Sequence, residues 1–246
     1  MVRHLVFATV LFVVGSSSLA TEKPLKRLTT AYFGVANETA LPFIEVKNSE
    51  ITRGILKDLA EAIFKEMKIK PVLVLLPKKR VAPDLISGNL SIVCYANEAW
   101  FPDVADQLLW SDPITTNSNL IVSLSKNRPK KIEDLYGKQI GTLVNYYYSK
   151  LDPYFEKNLM VRENASDNEG NLKKLIHGRI DYMVLSNLEL HYYQKTYPLL
   201  EATNILEEAV KVKCVISKKS GIDMKTLNKA IETLRDNGTL EKIFRP

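Results

Sequence analysis

The feature that most constrains this chain is the way its apolar residues change period as the sequence advances. Leu28 to Val35 alternates and ends near Gly34, as a first strand would. After a loop with Pro42, Leu56, Leu59, Ala60, Ile63, Phe64 and Met67 recur at helical spacing, with Asp58, Glu61 and Lys65 between them. That pattern predicts an amphipathic helix that buries one face. Pro71 to Pro77 is an apolar run between prolines and reads as a buried strand. Val81 to Ile86 reads as a helix closed by Gly88, and Leu90 to Tyr95 as the next strand. Strands separated by helices imply parallel pairing, with the helices packed on the sheet.

A second unit of the same kind follows. Asn119 to Leu124 reads as a strand, Asn127 to Lys131 as a polar turn, Gln139 to Leu143 as a strand and Tyr146 to Phe155 as a helix. Asp167 is a candidate N-cap for a helix carrying Leu172, Leu175 and Ile176, with Gly178 just past its end. Ile180 to Leu185 is strand-like and leads into another helix. Val210 to Ser217 is β-rich, and Asp223 caps a helix with Leu227, Ala230, Ile231 and Leu234 that breaks at Asp236-Asn237-Gly238. No low-complexity linker divides the two units, which is expected if strands rather than a tether join them.

The first residues carry a separate signal. Arg3 and His4 precede the apolar run Leu5 to Gly15, and small residues stand at Ser18 and Ala20. This is the order of a cleavable signal peptide over residues 1–20. The run is too short for a membrane span, which needs about 20 apolar residues. A formal charge of +6 with dispersed lysines lacks the continuous basic stripe of a nucleic-acid protein. Cys94 and Cys214 sit in apolar runs, and both a disulfide and two buried thiols are open readings.

Seven landmarks fall in a familiar order: Leu41-Pro42-Phe43, Gly54 to Leu59, Leu85 to Ser91, Trp110-Ser111-Asp112-Pro113, Ile132 to Gly141, Leu175 to Asp181, and Asp236 to Leu240. As an ordered set they resemble the family 3 periplasmic solute-binding proteins of amino-acid ABC importers. The resemblance implies an α/β, type II periplasmic-binding fold of two lobes joined by two crossing strands, here Ser118 to Ser123 and Val212 to Ser217. Lobe one would comprise 21–117 and 218–246, and lobe two 118–217. The implied protein is a periplasmic monomer that closes on a small polar ligand and passes it to an ABC permease. The alternatives are presentation to a membrane sensor or, on the same fold, a lyase or dehydratase.

The residues depart from the family at the ligand anchors. Family members clamp a ligand carboxylate with an Arg in lobe one. No Arg or Lys occurs between Arg80 and Lys126. The lobe-two Asp that takes the ammonium is replaced by Ser186, followed by Asn187. Without these anchors, burying an ordinary zwitterion would cost several kcal/mol. The candidate ligand-binding set is therefore Phe43, Arg80, Tyr95, Asn97, Glu98, Trp100, Asn145, Tyr146 and Ser186. Tyr95, Asn97 and Glu98 follow a strand end, where α/β sheets place ligands. Phe43 offers a ring to the ligand or to the core, and Trp100 a ring in a loop. Asn145 and Tyr146 stand where a strand gives way to the expected helix N-terminus. Arg80 is the candidate replacement cation. No Ser elbow, phosphate loop or metal-ligand spacing is present, so no catalytic residue, metal or cofactor is expected.

Overall fold

The computed structural model describes residues 28–37, 39–124, 129–144 and 146–245. The expected signal peptide and the candidate Asn145 lie outside the described residues. Strand β1 (Thr30–Ala36) leads through β2 (Glu45–Lys47) and β3 (Glu50–Arg53) into helix α1 (Ile55–Met67). Then come β4 (Lys70–Leu76), α2 (Lys78–Ser87), β5 (Ile92–Ala96), β6 (Leu109–Trp110) and β7 (Thr115–Ser123). The chain continues with β8 (Gln139–Leu143), α3 (Asp152–Glu156), β9 (Val161–Ala165), α4 (Asn168–Ile176) and β10 (Tyr182–Ser186). It ends with α5 (Asn187–Gln194), β11 (Glu201–Ile216), α6 (Met224–Asp236) and α7 (Thr239–Ile243).

The main sheet runs β4-β1-β5-β11-β7-β10-β8-β9, with β6 also on β11. At one end β4, β1 and β5 are parallel; at the other β10, β8 and β9 are parallel. Between them β11 and β7 run antiparallel to each other and to their outer neighbours. Two parallel α/β layers are thus spliced by one antiparallel pair. Strand β11 serves both, since Glu201–Val212 pairs with β7 and Lys213–Ile216 with β5.

Each parallel layer has a core on both faces. In the first, Phe33, Leu59, Ile63, Phe64, Ile92, Leu227 and Ile231 form one cluster, and Leu76, Leu85, Leu90 and Val215 another. In the second, Ile121, Ile140, Leu151 and Val184 pack on one side, and Val122, Leu172, Met183 and Leu185 on the other. Burial on both faces explains why the strands read as apolar runs and not as strict alternation. Cys94 and Cys214 are paired across β5 and β11 as a disulfide, which settles the open reading.

Two expectations are corrected. Tyr146 to Phe155 is not one helix: α3 begins only at Asp152, with Pro153 in its first turn. Proline suits that position and fixes the start, while the preceding tyrosines lose rotamer freedom in a helix. The Asp152 carboxylate accepts the Tyr148 N–H at 3.1 Å and holds the stretch as a turn instead. The β-rich segment Val210 to Ser217 is the end of a strand that starts at Glu201. Hairpin β2–β3 and strand β9 are further elements that the pattern did not reveal.

Candidate functional site

The site is built where the two parallel layers meet at β7 and β11. Phe43 is held there by backbone constraints. The N–H groups of Ile55 and Leu56, at the start of α1, donate to Pro42 and Phe43 carbonyls at 3.1 and 3.0 Å. Gly54 makes that approach possible: it has φ 126°, and a Cβ on it would stand 2.4 Å from the Phe43 oxygen. The Phe43 ring is half-buried and lies 4.9 Å from the Tyr95 ring. Phe244 stacks beyond Tyr95 at 6.2 Å.

Tyr95 occupies an irregular position in β5. Lys213 pairs with Ala96 but Cys214 with Cys94, so Tyr95 is one residue too many for the ladder. Its φ of 63° is left-handed, a conformation that costs a non-glycine residue about 1–3 kcal/mol and tends to occur at functional sites. Such a bulge bends the strand and re-aims its side chain. Here it directs the Tyr95 hydroxyl to Asn117 Oδ1 on β7, 2.9 Å away. Burial first, then the field of Glu189, holds the phenol well above its usual range, so it stays a neutral donor. Asn117 Nδ2 in turn donates to Asn119 Oδ1 at 3.3 Å.

A second bulge faces the first across these asparagines. Leu206 pairs with Leu120 and Glu208 with Asn119, leaving Glu207 as the extra residue in β11. Glu207 is 1% exposed. Its Oε1 accepts the Lys150 N–H at 3.1 Å, whereas Oε2 has no hydrogen-bond partner among the described residues. Asn119 is near enough to lower the pKa of the Glu207 carboxyl. Burial raises the Glu207 pKa above the ordinary carboxyl range, outweighing the Lys150 amide. Tyr146 belongs to the same group. Burial pushes its phenol up, Asn119 opposes this, and Glu208, Glu207 and Glu189 add to it.

Arg162, on β9, holds the turn that presents Tyr146. Its guanidinium donates to Asp152 at 2.7 Å, to Asn164 at 3.1 Å and to the Tyr146 carbonyl at 2.6 Å. It also lies 5.5 Å from the centre of the Tyr148 ring. Three carboxylates therefore act on Tyr146, while the nearby guanidinium is committed to Asp152 and backbone oxygen.

The structure brings Phe43, Tyr95 and Tyr146 into this assembly. Asn97 sits beside it: its Oδ1 accepts the Ala99 N–H and its Nδ2 donates to the Lys211 carbonyl, which ties the end of β5 to β11. Glu98 pairs with Lys213 of β11 at 2.5 Å. Burial opposes its charge, yet the Lys213 hydrogen bond wins and keeps its pKa low. Ser186 caps α5, exchanging hydrogen bonds with Glu189. Trp100 is 40% exposed on a short 3-10 turn. Arg80 is not gathered in: its side chain, 59% exposed, pairs with Asp84 one turn along its own helix.

Sequence reasoning missed Asn117, Asn119, Glu207 and Arg162. The polar pair Asn117 and Asn119 inside a strand of otherwise buried character was the available signal. A concavity of about 420 Å³ also lies along Asp112 to Thr116, Lys211 and Arg235. It is wide and open, and it shares no residue with the assembly above.

Two parallel α/β layers spliced by an antiparallel strand pair, with polar groups converging at the splice, define the type II periplasmic-binding class. Solved structures agree. One is the probable amino-acid ABC transporter extracellular-binding protein YtmK of Bacillus subtilis, with a TM-score of 0.71 and 16% identity over 88% of this chain and 96% of that one. Another is an ancestral arginine-binding protein bound to arginine, with a TM-score of 0.68 and 22% identity over 89% and 98%. In sequence, the probable amino-acid-binding protein YxeM of Bacillus subtilis strain 168 is 26% identical over 217 residues, 85% of this chain and 80% of that protein. The profile of the bacterial extracellular solute-binding proteins, family 3, matches residues 33–246, and the chain belongs to that family.

Proposed function

We propose that the protein captures a small polar solute between two lobes in the periplasm and delivers it to an ABC permease, without chemistry of its own. The observation that carries this reading is the hydrogen-bonded chain from Tyr95 through Asn117 to Asn119, with Tyr146 of the far layer near enough for Asn119 to lower its pKa. Polar side chains from both layers converge on the strands about which the layers would turn, as hinge closure around a ligand requires. The lobes take the limits 21–117 with 218–246, and 118–217. Sheet pairing supports a crossing on β11 near Val212, where its partner changes from β7 to β5.

Family membership and likeness to proteins described as amino-acid-binding support this class of function. No helix among the described residues is long and apolar enough to cross a membrane. The test is a thermal-shift screen of amino acids, amines, carboxylates and sugars on the purified protein, with X-ray scattering before and after addition. A ligand that raises the melting temperature and shrinks the radius of gyration supports capture by closure. Stabilisation with no compaction by any ligand defeats it.

A further inference from the structure

Resting on that reading, we propose that the solute carries a positively charged nitrogen, an ammonium or guanidinium, received by Glu207 at the β11 bulge with Glu208 beside it. Four observations lead there. Glu207 is buried to 1% exposure, yet one of its oxygens lacks a hydrogen-bond partner among the described residues. A buried acceptor left open is expensive, so its persistence calls for a donor that arrives from outside. Next, Glu207 is itself an extra residue in β11, which also shifts register between Ala202 and Leu206, and bulges are concentrated where a strand must re-aim a side chain at a site. It is turned toward Asn119 and Tyr146, the same polar chain that the Tyr95 bulge reaches from the other layer.

Third, the neighbouring cations are already engaged. Lys150 turns its ammonium to the Leu206 carbonyl at 2.9 Å, Arg162 is held by Asp152, and Lys213 by Glu98. The charged groups acting on Tyr146 are Glu208, Glu207 and Glu189, all negative. A solute bringing positive charge neutralises this field, whereas an anion would be repelled by the three carboxylates. Fourth, aromatic rings gather beside the same polar groups, Phe43 against Tyr95 and Tyr148 against Tyr146, and ring faces attract organic cations. The loss of the lobe-one carboxylate clamp fits the same conclusion, because Arg80 stays on its own helix with Asp84. A carboxylate on the solute is therefore dispensable, whereas the charged nitrogen is not.

The experiment uses ligand-stripped mature protein and calorimetric titration with agmatine, putrescine, choline and L-arginine, against succinate and ribose. At least one of the four cationic probes is expected to bind. Glu207→Gln, whose amide oxygen can still accept the Lys150 N–H, should weaken that probe by about thirtyfold or more, as loss of one partner of a buried charge pair does. Affinity in the parent should fall toward acid pH as the carboxyl takes its proton, and this slope should be absent in the variant. Glu207→Asp, which keeps the charge but shortens the reach, should give an intermediate loss with the slope retained, and it serves if the Gln variant does not fold. Binding of succinate or ribose alone, or a cation that ignores Glu207→Gln, overturns this inference while leaving solute capture intact. Silence from every probe here and in the broader screen overturns both.

Discussion

A carboxylate placed to receive a ligand should weaken the ligand-free protein, and Glu207→Gln measures by how much. The parent buries an ionisable group with one oxygen unsatisfied. Such a group costs about 1–3 kcal/mol, and the Gln amide, being neutral, escapes most of the desolvation. Allowing for the Lys150 N–H that both side chains keep, the variant should gain about 1–2 kcal/mol near pH 8. For a domain of this size that is about 2–8 °C in melting temperature. The pH dependence fixes the cause. Burial raises the folded-state pKa of Glu207 above its unfolded value, so the folded chain holds a proton that the unfolded chain has released. Stability then falls as pH rises through that interval, and the full penalty stands above the folded value. The gap between variant and parent should be widest near pH 8 and close toward about pH 4, where both forms are neutral. Calorimetric melting of both proteins across that range is the assay. A gap independent of pH, or a Gln variant less stable than the parent near pH 8, would refute the reasoning.

The same geometry yields four further expectations. Tyr95→Phe keeps the ring and its bulge but leaves Asn117 Oδ1 without its donor; it should lose about 1–2 kcal/mol in denaturant titration and weaken whatever ligand the screen finds. Arg162→Met strands the Asp152 carboxylate and the Tyr146 carbonyl together; about 2–4 kcal/mol should disappear, with proteolysis beginning in the Tyr146–Leu151 segment. Gly54→Ala places a Cβ against the Phe43 carbonyl at a positive φ; a loss of about 2 kcal/mol or more, with lowered affinity through Phe43, should appear in melting and titration. Replacing both Cys94 and Cys214 by Ser opens a link between residues 120 apart in sequence and should cost about 3–5 kcal/mol; equal denaturation midpoints for the two proteins would mean the bond does not form in solution.

Most of the scaffold was legible because its signals are local. The six apolar residues at helical spacing from Leu56 to Met67 define α1, and all of them are buried in it. Asp167 and Asp223 cap their helices by accepting the Gly170 and Thr226 N–H groups, as the residue type and the pattern after it require. The polar start of β11 gave no such signal. Glu201-Ala-Thr-Asn-Ile-Leu-Glu-Glu has little strand character of its own, and it is β-paired because β7 lies alongside it. Arg162 was hidden for a related reason: its partners at Asp152 and Tyr146 come together only when β9 is laid beside β8.

The site was half legible, and the bulges explain the division. Alternation along a strand assigns faces by counting residues in twos, so it assumes that none is extra. Tyr95 and Glu207 are both extra residues, one in β5 and one in β11. Tyr95 could still be found, because it ends a strand and strand ends are where ligands collect. Glu207 lies inside a strand whose beginning was unrecognised, and by composition it is one more surface acid. Only the register shows that the ladder skips it, and only the fold shows that its carboxylate is buried. The residue carrying most of the argument about the solute is thus one whose chemistry is ordinary and whose placement is not.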